Sequence, residues 1–341
     1  MNCNKSNQTP AQKVIRMIQG ASITQMIHVA ARLGIADLLK RGPKSCDELA
    51  GATGTHPQSL YRLLRGLASI GIFAETEERC FELTPEAQCL RSDAPDSVRT
   101  FAVWTGDEVN WKPWGQLLYS IQTGKTAFKQ VFGSEIFEYF SKNPKAGDAF
   151  NRFMTERMNA LVKAVASSYD FSKAKVIADI GGGQGLLLST ILKSNPKLRG
   201  ILFDLPSVIK EAENVIEKTG VAERCELVGG SFFESISVTA DIYILSSIIH
   251  DWDDKDAVTI LKNCRKCMPR DSKLLLVETM IPPGNAPALG KLTDLNMLVL
   301  TGGMERTRSE FEALFKQTGF KLTNIIPTPS PMNIIEAVPH Q

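Results

Sequence analysis

The sequence predicts an α/β protein in which a smaller helical domain precedes a mostly parallel sheet covered by helices on both faces. Two observations carry this prediction. Beyond residue 175, short β-branched runs alternate with helical patterns. The preceding residues are mostly helical by spacing, and 341 residues suffice for two domains at about 150 residues each. We expect one domain over residues 1–95, a helical connector over 96–170 and the sheet domain over 171–341.

The composition excludes several classes of protein. Lys and Arg number 39 against 37 Asp and Glu, so the chain lacks the basic excess that drives nonspecific nucleic-acid binding. No apolar run approaches the roughly 20 residues that cross a bilayer, and the first ten residues are polar, unlike a secretory signal. We therefore expect a cytoplasmic protein with no nucleic-acid or membrane partner, whose seven cysteines are reduced thiols.

The N-terminal region predicts a dimer. Residues 11–40 carry apolar side chains at three- and four-residue spacings, which indicates a helix, and the apolar stripe is broad enough to need a partner subunit to cover it. Residues 45–70 then suggest two short helices joined by a turn, and residues 72–83 a small hairpin. Together these segments predict a winged-helix domain.

A glycine-rich turn is the sharpest motif in the chain. Residues 176–180 form a predicted strand that runs into Gly181, Gly183 and Gly185, and a helix follows. Such a turn lets the main chain approach a ligand closely, although the spacing differs from the G-x-G-x-x-G pattern of dinucleotide sites. The next strand ends at Asp204, whose carboxylate can accept hydrogen bonds from ribose hydroxyls. The alternative is an ordinary tight turn.

A histidine and two acids form the second motif. His250 follows the fourth strand of the predicted sheet, just before a helix that Asp253 would cap. Glu278 ends the next strand, and Glu305 lies just outside a helix that begins with a capping box. Two carboxylates beside an imidazole would fix its tautomer and stabilise its protonated form, as a general base requires. The alternative is a pair of solvated acids.

Five strings in this sequence together resemble the S-adenosylmethionine-dependent small-molecule O-methyltransferases, the group that includes plant caffeic-acid and flavonoid enzymes and bacterial polyketide-tailoring enzymes. They are DIGGGQG at 179–185, LFDLP at 202–206, HDW at 250–252, VE at 277–278 and GGMERT at 302–307. The resemblance covers nearly the whole chain. It implies a Rossmann-like class I methyltransferase domain, an N-terminal winged-helix dimerisation domain that forms a homodimer, S-adenosyl-L-methionine as cofactor, no metal, and a phenolic or polyketide-like hydroxyl acceptor.

The resemblance also implies roles for individual residues. His250 would be the catalytic base, flanked by Glu278 and Glu305. The residues expected at the cofactor are Asp179, Gly181, Gly183, Gly185, Asp204, Leu205, Ser231, Phe232 and Ser246. The residues expected at the acceptor are Phe150, Met154, Met158, Asp251, Trp252, Asp294, Asn296 and Met297, with core packing as the alternative for the Phe and Met side chains. Ser231 replaces an acid frequent in the family, and Ser246 replaces a lysine of its plant members.

Other functions are kept as alternatives. A DNA-binding regulator could use the helix at 56–69, where Arg62 and Arg65 could reach phosphates, although a leucine stripe commits much of that helix to packing. A nicotinamide dehydrogenase is disfavoured by the glycine spacing, and an N- or C-methyltransferase would share the fold. Cys264 and Cys267 have the C-x-x-C spacing of metal sites, but no second pair completes a zinc set.

Overall fold

The structure is a computed structural model that describes residues 9–340, and at residues 149, 151, 155 and 160 it describes the backbone alone. Within it the chain forms two compact units. The first comprises residues 9–112 and 140–154, and the second comprises residues 113–139 and 155–340. The predicted domain limits at residues 95 and 170 stay a prediction.

The N-terminal part of the chain is helical with a small sheet. Its elements in order are α1 (Pro10–Ile18), α2 (Gly20–Leu33), α3 (Ile35–Leu38), β1 (Lys44–Ser45), α4 (Cys46–Thr53), α5 (Pro57–Ala68), β2 (Ala74–Glu77), β3 (Cys80–Glu82), α6 (Pro85–Gln88), α7 (Arg99–Gly106) and α8 (Glu108–Trp114). The predicted hairpin is confirmed, because β2 pairs antiparallel with β3. The single helix predicted over 11–40 is wrong. The helix is interrupted at Gln19 and again at Gly34, which has a left-handed φ of 69°.

The remaining elements build the larger sheet. They are α9 (Leu117–Thr123), α10 (Ala127–Phe132), α11 (Ile136–Lys142), α12 (Pro144–Ser168), β4 (Val176–Ile180), α13 (Leu186–Ser194), β5 (Arg199–Asp204), α14 (Pro206–Thr219), β6 (Cys225–Gly229), β7 (Ile242–Ser246), α15 (Asp254–Cys267), β8 (Lys273–Ile281), α16 (Gly290–Leu300), β9 (Arg306–Thr307), α17 (Arg308–Thr318), β10 (Phe320–Pro327) and β11 (Met332–Pro339). Their alternation confirms the predicted α/β class.

The strand order of the sheet sets the position of any ligand. The order is β10-β11-β8-β7-β4-β5-β6, in which β4 to β8 are parallel and the C-terminal hairpin is antiparallel. The chain builds outward from β4 to β6 on one side and then crosses to β7 and β8 on the other. The order therefore reverses between β4 and β7, and ligands of open α/β sheets bind beyond the carboxyl ends of the strands at such a point.

Alternate residues of each central strand pack into two separate cores. On β4, Ala178 and Ile180 face a core that α15 and α17 cover, while Ile177 faces one that includes side chains of α13 and α14. This alternation is what a parallel sheet needs when both of its faces are buried. Cys264 is fully buried in the first of these cores, in agreement with its predicted packing role.

The prediction that Glu278 ends its strand is wrong. Strand β8 runs three residues further, to Ile281, because β11 pairs with it as far as Thr279 and β9 pairs with Met280. The register with β7 nevertheless ends one residue before Glu278, where Ser246 faces Val277. The Glu278 backbone thus continues in a strand at the point where its neighbour β7 turns away.

Among residues 9–340, none of the helices has the length and hydropathy that a membrane span requires.

Candidate functional site

The glycine-rich turn after β4 is held against the end of β5. The Gly181 amide donates to the Phe203 carbonyl at 2.7 Å, and the Gly183 amide donates to Oδ2 of Asp204 at 2.8 Å. Gly183 has a φ of 58°, and apart from its chain neighbours no described residue has a heavy atom within 4 Å of the position that a Cβ would take. The main chain at Gly183 therefore borders open space, into which a ligand can approach it closely.

Two buried polar side chains beside this turn have no hydrogen-bond partner within residues 9–340. Both carboxylate oxygens of Asp179 and the hydroxyl of Ser246 are buried and unpartnered, at the ends of the adjacent strands β4 and β7. Burial, together with the charge of Asp204, raises the pKa of Asp179 to about 7. Because an unpaired buried polar group costs free energy, these atoms fit a ligand that brings hydrogen-bond donors or positive charge to them.

Of the other residues predicted at the cofactor, Leu205 follows β5, and Ser231 and Phe232 follow β6. Oδ1 of Asp204 accepts a hydrogen bond from the amide of Leu205 at 2.7 Å, and the Leu205 side chain is exposed. The Ser231 hydroxyl accepts from the Phe233 amide at 3.3 Å, so it caps its own turn. The Phe232 ring lies 3.4 Å from the position of a Cβ on Gly181.

His250 lies in a short 3-10 turn, Ile249–Asp251, that follows β7. Its imidazole Nδ1 lies 2.9 Å from Oε2 of Glu278 and 3.9 Å from Oε1 of Glu305. At 2.9 Å the first contact is an ion pair whenever the imidazole is protonated. Imidazole Nε2 lies 3.6 Å from Oδ1 of Asp251. His250, Glu278 and Glu305 are all buried, so the structure brings together the three groups predicted to act together.

The charges around His250 make it an unusually strong base. Burial by itself would lower the pKa of the imidazole, but the charge of Glu278, with smaller effects of Asp251 and Glu305, outweighs burial and raises the pKa to about 9. Burial also raises the pKa of Glu305 to about 7, against the opposing charges of His250 and Arg157. The arrangement therefore favours a proton on His250.

Two residues predicted at the acceptor make hydrogen bonds within the protein. Oδ1 of Asp294 accepts a hydrogen bond from the backbone amide of Glu305 at 2.9 Å, and the amide oxygen of Asn296 accepts from Nε1 of Trp114 at 3.0 Å. Sequence reasoning missed the first contact because Asp294 and Glu305 are joined only through tertiary structure. Asp294 thus helps to fix the position of Glu305 by binding the Glu305 backbone amide.

The remaining acceptor residues lie in different surroundings. Asp251 and Trp252 line a cavity of about 820 Å³ in the second unit, together with residues such as Tyr119 and Phe137. Met158 packs against the core that includes α13 and α14. Met297, on α16, is half-buried, and its carbonyl accepts from the Thr301 amide.

In the first unit, the Phe150 ring lies 5.1 Å from that of Trp104 and 5.0 Å from that of Phe140, and Met154 is half-buried on the same helix. Phe150 and Met158 thus have packing partners of their own. The assignment of these residues to the acceptor stays a prediction.

A sheet of this order, with a glycine-rich turn after its first parallel strand and an acid at the end of the next, defines the class I S-adenosylmethionine-dependent methyltransferases. The family model of the O-methyltransferase domain matches residues 114–321, and that of the O-methyltransferase dimerisation domain matches residues 15–93. The chain belongs to this O-methyltransferase family. The family assignment sets aside the dehydrogenase and the DNA-binding regulator.

Named relatives match this chain along nearly their whole length. The chain is 46% identical over 337 residues to the phenazine O-methyltransferase PhzM of Lysobacter antibioticus, covering 98% of each chain. It is 39% identical to the mitomycin biosynthesis 6-O-methyltransferase of Streptomyces lavendulae, covering 94% of this chain and 92% of that one. It is also 30% identical to the phenazine-1-carboxylate N-methyltransferase of Pseudomonas aeruginosa, covering 98% and 99%.

Solved structures agree with this assignment. The methyltransferase CalO1 of calicheamicin biosynthesis, in its SAH-bound form, superposes with a TM-score of 0.85 at 32% identity, covering 98% of this chain and 100% of that one. The O-methyltransferase NcsB1 of neocarzinostatin biosynthesis, in complex with S-adenosylmethionine and a naphthoic acid, gives 0.81 at 30% identity, covering 94% and 96%. The cofactor of this family is S-adenosylmethionine, and the open main chain at Gly183 and the unpartnered Asp179 and Ser246 fit such a group.

Proposed function

We propose that this protein transfers a methyl group from S-adenosylmethionine to a hydroxyl of a small aromatic acceptor, with His250 as the general base. The acceptor class is phenolic or polyketide-like, including hydroxylated phenazines, because one relative is named for O-methylation of a phenazine and a similar solved O-methyltransferase is bound to a naphthoic acid. The observation that carries the proposal is the buried contact of His250 with Glu278, supported by Glu305.

When bound, the cofactor supplies an electrophilic methyl group on a sulfonium. The residues that would hold it are Asp179, Asp204 and Ser246, together with the main chain around Gly183. In neutral His250, a proton on Nδ1 faces the Glu278 carboxylate, which leaves the lone pair on Nε2 to take the proton of the acceptor hydroxyl. Glu278 and Glu305 then stabilise the imidazolium that forms.

The pKa of His250 sets the free energy of proton transfer from the acceptor hydroxyl to the imidazole. For a phenol of pKa about 10 and an ordinary imidazole near 6.5, proton transfer is uphill by about 3.5 units, or about 5 kcal/mol. With the His250 pKa raised to about 9, that gap falls to about one unit, or about 1.4 kcal/mol. Transfer starts from the fraction of the enzyme in which His250 is neutral, and this fraction grows as the pH approaches 9.

The competing function is methyl transfer to nitrogen, which a 30% identical relative performs on phenazine-1-carboxylate. A neutral nitrogen attacks through its lone pair and needs no base to unmask it first. A strongly basic, buried histidine is of greater use to an oxygen acceptor. His250 therefore favours the hydroxyl acceptor over the nitrogen acceptor.

The quaternary part of the proposal is a homodimer formed through the N-terminal domain. Helix α1 has no buried residue, and its Val14, Ile15, Met17 and Ile18 are all exposed. A second copy of the matched dimerisation domain would cover this apolar face. We also place the enzyme in the cytoplasm, where its cysteines would remain reduced thiols.

The test is a methylation assay with S-adenosylmethionine and matched acceptors. Hydroxyphenazines, naphthols and hydroxyquinones form one arm, and the corresponding amines and unsubstituted nitrogen heterocycles form the other. Mass spectrometry and NMR of the products assign the methyl to oxygen or nitrogen. We expect O-methyl products that His250→Ala largely abolishes, while the exposed His340→Gln serves as the control. N-methyl products alone, made equally well by His250→Ala, would refute the proposal.

A further inference from the structure

We propose that Arg306 is a positioning residue for the methyl transfer. Its buried guanidinium donates hydrogen bonds to backbone carbonyls of the turn that carries His250 and so fixes the position of that turn. The inference rests on the proposed function, because it concerns the geometry of the proposed base. Arg306 stands directly after Glu305 in the chain. It does not contact the imidazole, and it acts through the backbone of the turn.

The contacts of Arg306 converge on that turn. Its side chain is 1% exposed. Nη1 donates to the Ile249 carbonyl at 2.9 Å, and Nη2 donates to the Trp252 carbonyl at 3.0 Å. Nε and Nη2 also donate to Oδ1 of Asp254, at 3.1 and 2.8 Å. The guanidinium thus binds residues on both sides of His250.

The amide side of the same turn is held by other groups. Oε1 of Glu278 accepts from the amides of Ile248 and Ile249 at 3.1 and 2.8 Å. The carbonyl of His250 itself accepts from the Met304 amide at 2.8 Å. With Arg306 on the Ile249 and Trp252 carbonyls, the backbone on either side of the base is fixed through both its donors and its acceptors.

The segment that supplies Arg306 fits closely against the turn. A Cβ on Gly303 would lie 2.0 Å from the His250 carbonyl oxygen, so only glycine allows this approach. Neighbouring side chains of an extended segment point to opposite sides. This alternation explains how Glu305 reaches the imidazole while the adjacent Arg306 reaches the backbone of the turn.

Charge and shape both favour arginine here. A buried cation is costly unless it is paired and hydrogen-bonded, and Arg306 is both. Lysine would keep the charge but not the planar fork that binds two carbonyls and a carboxylate together. A shift of about 1 Å in a reacting group costs roughly 100-fold in rate, so a loosened turn would slow the transfer without removing the base.

The test is a double-mutant cycle on the rate of methyl transfer. Arg306→Lys should lower kcat about 10- to 100-fold, with KM for the acceptor and Kd for S-adenosylhomocysteine within about 3-fold. In a His250→Ala background the same change should have almost no further effect, because there is no base left to position. Arg308→Lys, which alters an exposed ion pair with Glu312, is the matched control.

A second variant covers the case in which Arg306→Lys does not fold. Asp254→Asn alters the 70% exposed partner of Arg306, and we expect a smaller loss of kcat that again disappears in the His250→Ala background. Equal losses with and without His250, or a folded Arg306→Lys with unchanged kcat, would overturn the inference. Full activity of His250→Ala alone would instead refute the proposed base, so the two failures are distinguishable.

Discussion

Glu278 contacts His250 and its turn through both carboxylate oxygens. Oε2 lies 2.9 Å from Nδ1 of the imidazole, and Oε1 accepts from the amide of Ile249, the residue before His250. One buried side chain therefore sets both the basicity of the proposed base and the position of its backbone. This arrangement explains why the site depends on a carboxylate inside a strand, where the sheet allows it little freedom.

Removal of the imidazole should abolish most of the turnover and little of the cofactor binding. We expect His250→Ala to lower kcat by two or more orders of magnitude, the scale of a lost general base. Calorimetry should give a Kd for S-adenosylhomocysteine within a few-fold of the parent, because the residues that would hold the cofactor lie elsewhere on the sheet edge. Unchanged kcat with a hydroxyl acceptor would remove His250 from the mechanism, and His340→Gln controls for the loss of a histidine.

The raised pKa of His250 predicts a specific pH dependence. NMR titration of histidine-labelled, unliganded protein should show one imidazole, missing in His250→Gln, that titrates near pH 9. Glu278→Gln keeps an oxygen for the two amides but removes the main charge that raises the pKa. We expect the His250 pKa to fall in this variant and kcat to fall with it, whereas Glu312→Gln, at an exposed ion pair, should change neither.

The same pKa links His250 to the stability of the fold. The folded value of about 9 exceeds the ordinary value of 6.5, so the stabilisation from the ion pair is fully present below about pH 6.5. It is lost as the pH rises through about 9. Denaturant unfolding of the parent and of His250→Gln should therefore show a difference in unfolding free energy that narrows across this range. A difference that widens with pH would contradict the ion pair.

Local signals in the sequence were enough to predict where two helices begin. Asp253 caps α15 and accepts from the Asp256 amide at 2.9 Å, and Thr307 forms a capping box with Glu310 at the start of α17. Such caps depend on residues three positions apart, which a sequence displays directly. The same holds for the glycine-rich turn, whose position after β4 was also predicted.

Long-range contacts were beyond sequence reasoning. The strand through Glu278 continues because β11, more than fifty residues later, pairs with it. Nothing local marks Asp294 as the partner of the Glu305 amide, or indicates that the Arg306 side chain is buried. The sequence motifs were enough to suggest His250, Glu278 and Glu305 as one group, but they did not reveal the groups that hold these residues in place.

We expect the buried carboxylate of Asp179 to lower the stability of the unliganded protein and to strengthen binding of the cofactor. Its folded pKa of about 7 exceeds the ordinary 3.8, so its ionisation destabilises the unliganded fold fully above about pH 7 and not at all below about pH 4. Asp179→Asn should therefore raise the Tm of the unliganded protein at pH 8, with a gain that shrinks as the pH falls. The rise in Tm on adding S-adenosylmethionine should become smaller.

Thermal unfolding with and without the cofactor measures both effects of Asp179→Asn. The exposed Asp271→Asn is the control and should alter neither. A lower Tm for unliganded Asp179→Asn, combined with an unchanged cofactor-induced rise, would show that Asp179 serves the fold and not the ligand.

Charges placed on the apolar face of α1 should dissociate the proposed homodimer. Met17 and Ile18 are 77% and 69% exposed in the single chain, which leaves a large apolar surface that a second copy would cover. We expect the parent to have the mass of a dimer in light scattering, and Met17→Glu with Ile18→Glu to have that of a monomer, because burying two carboxylates in an apolar interface is costly. Lys13→Gln on the same helix should remain dimeric. A double variant that keeps the dimer mass would place the interface away from α1.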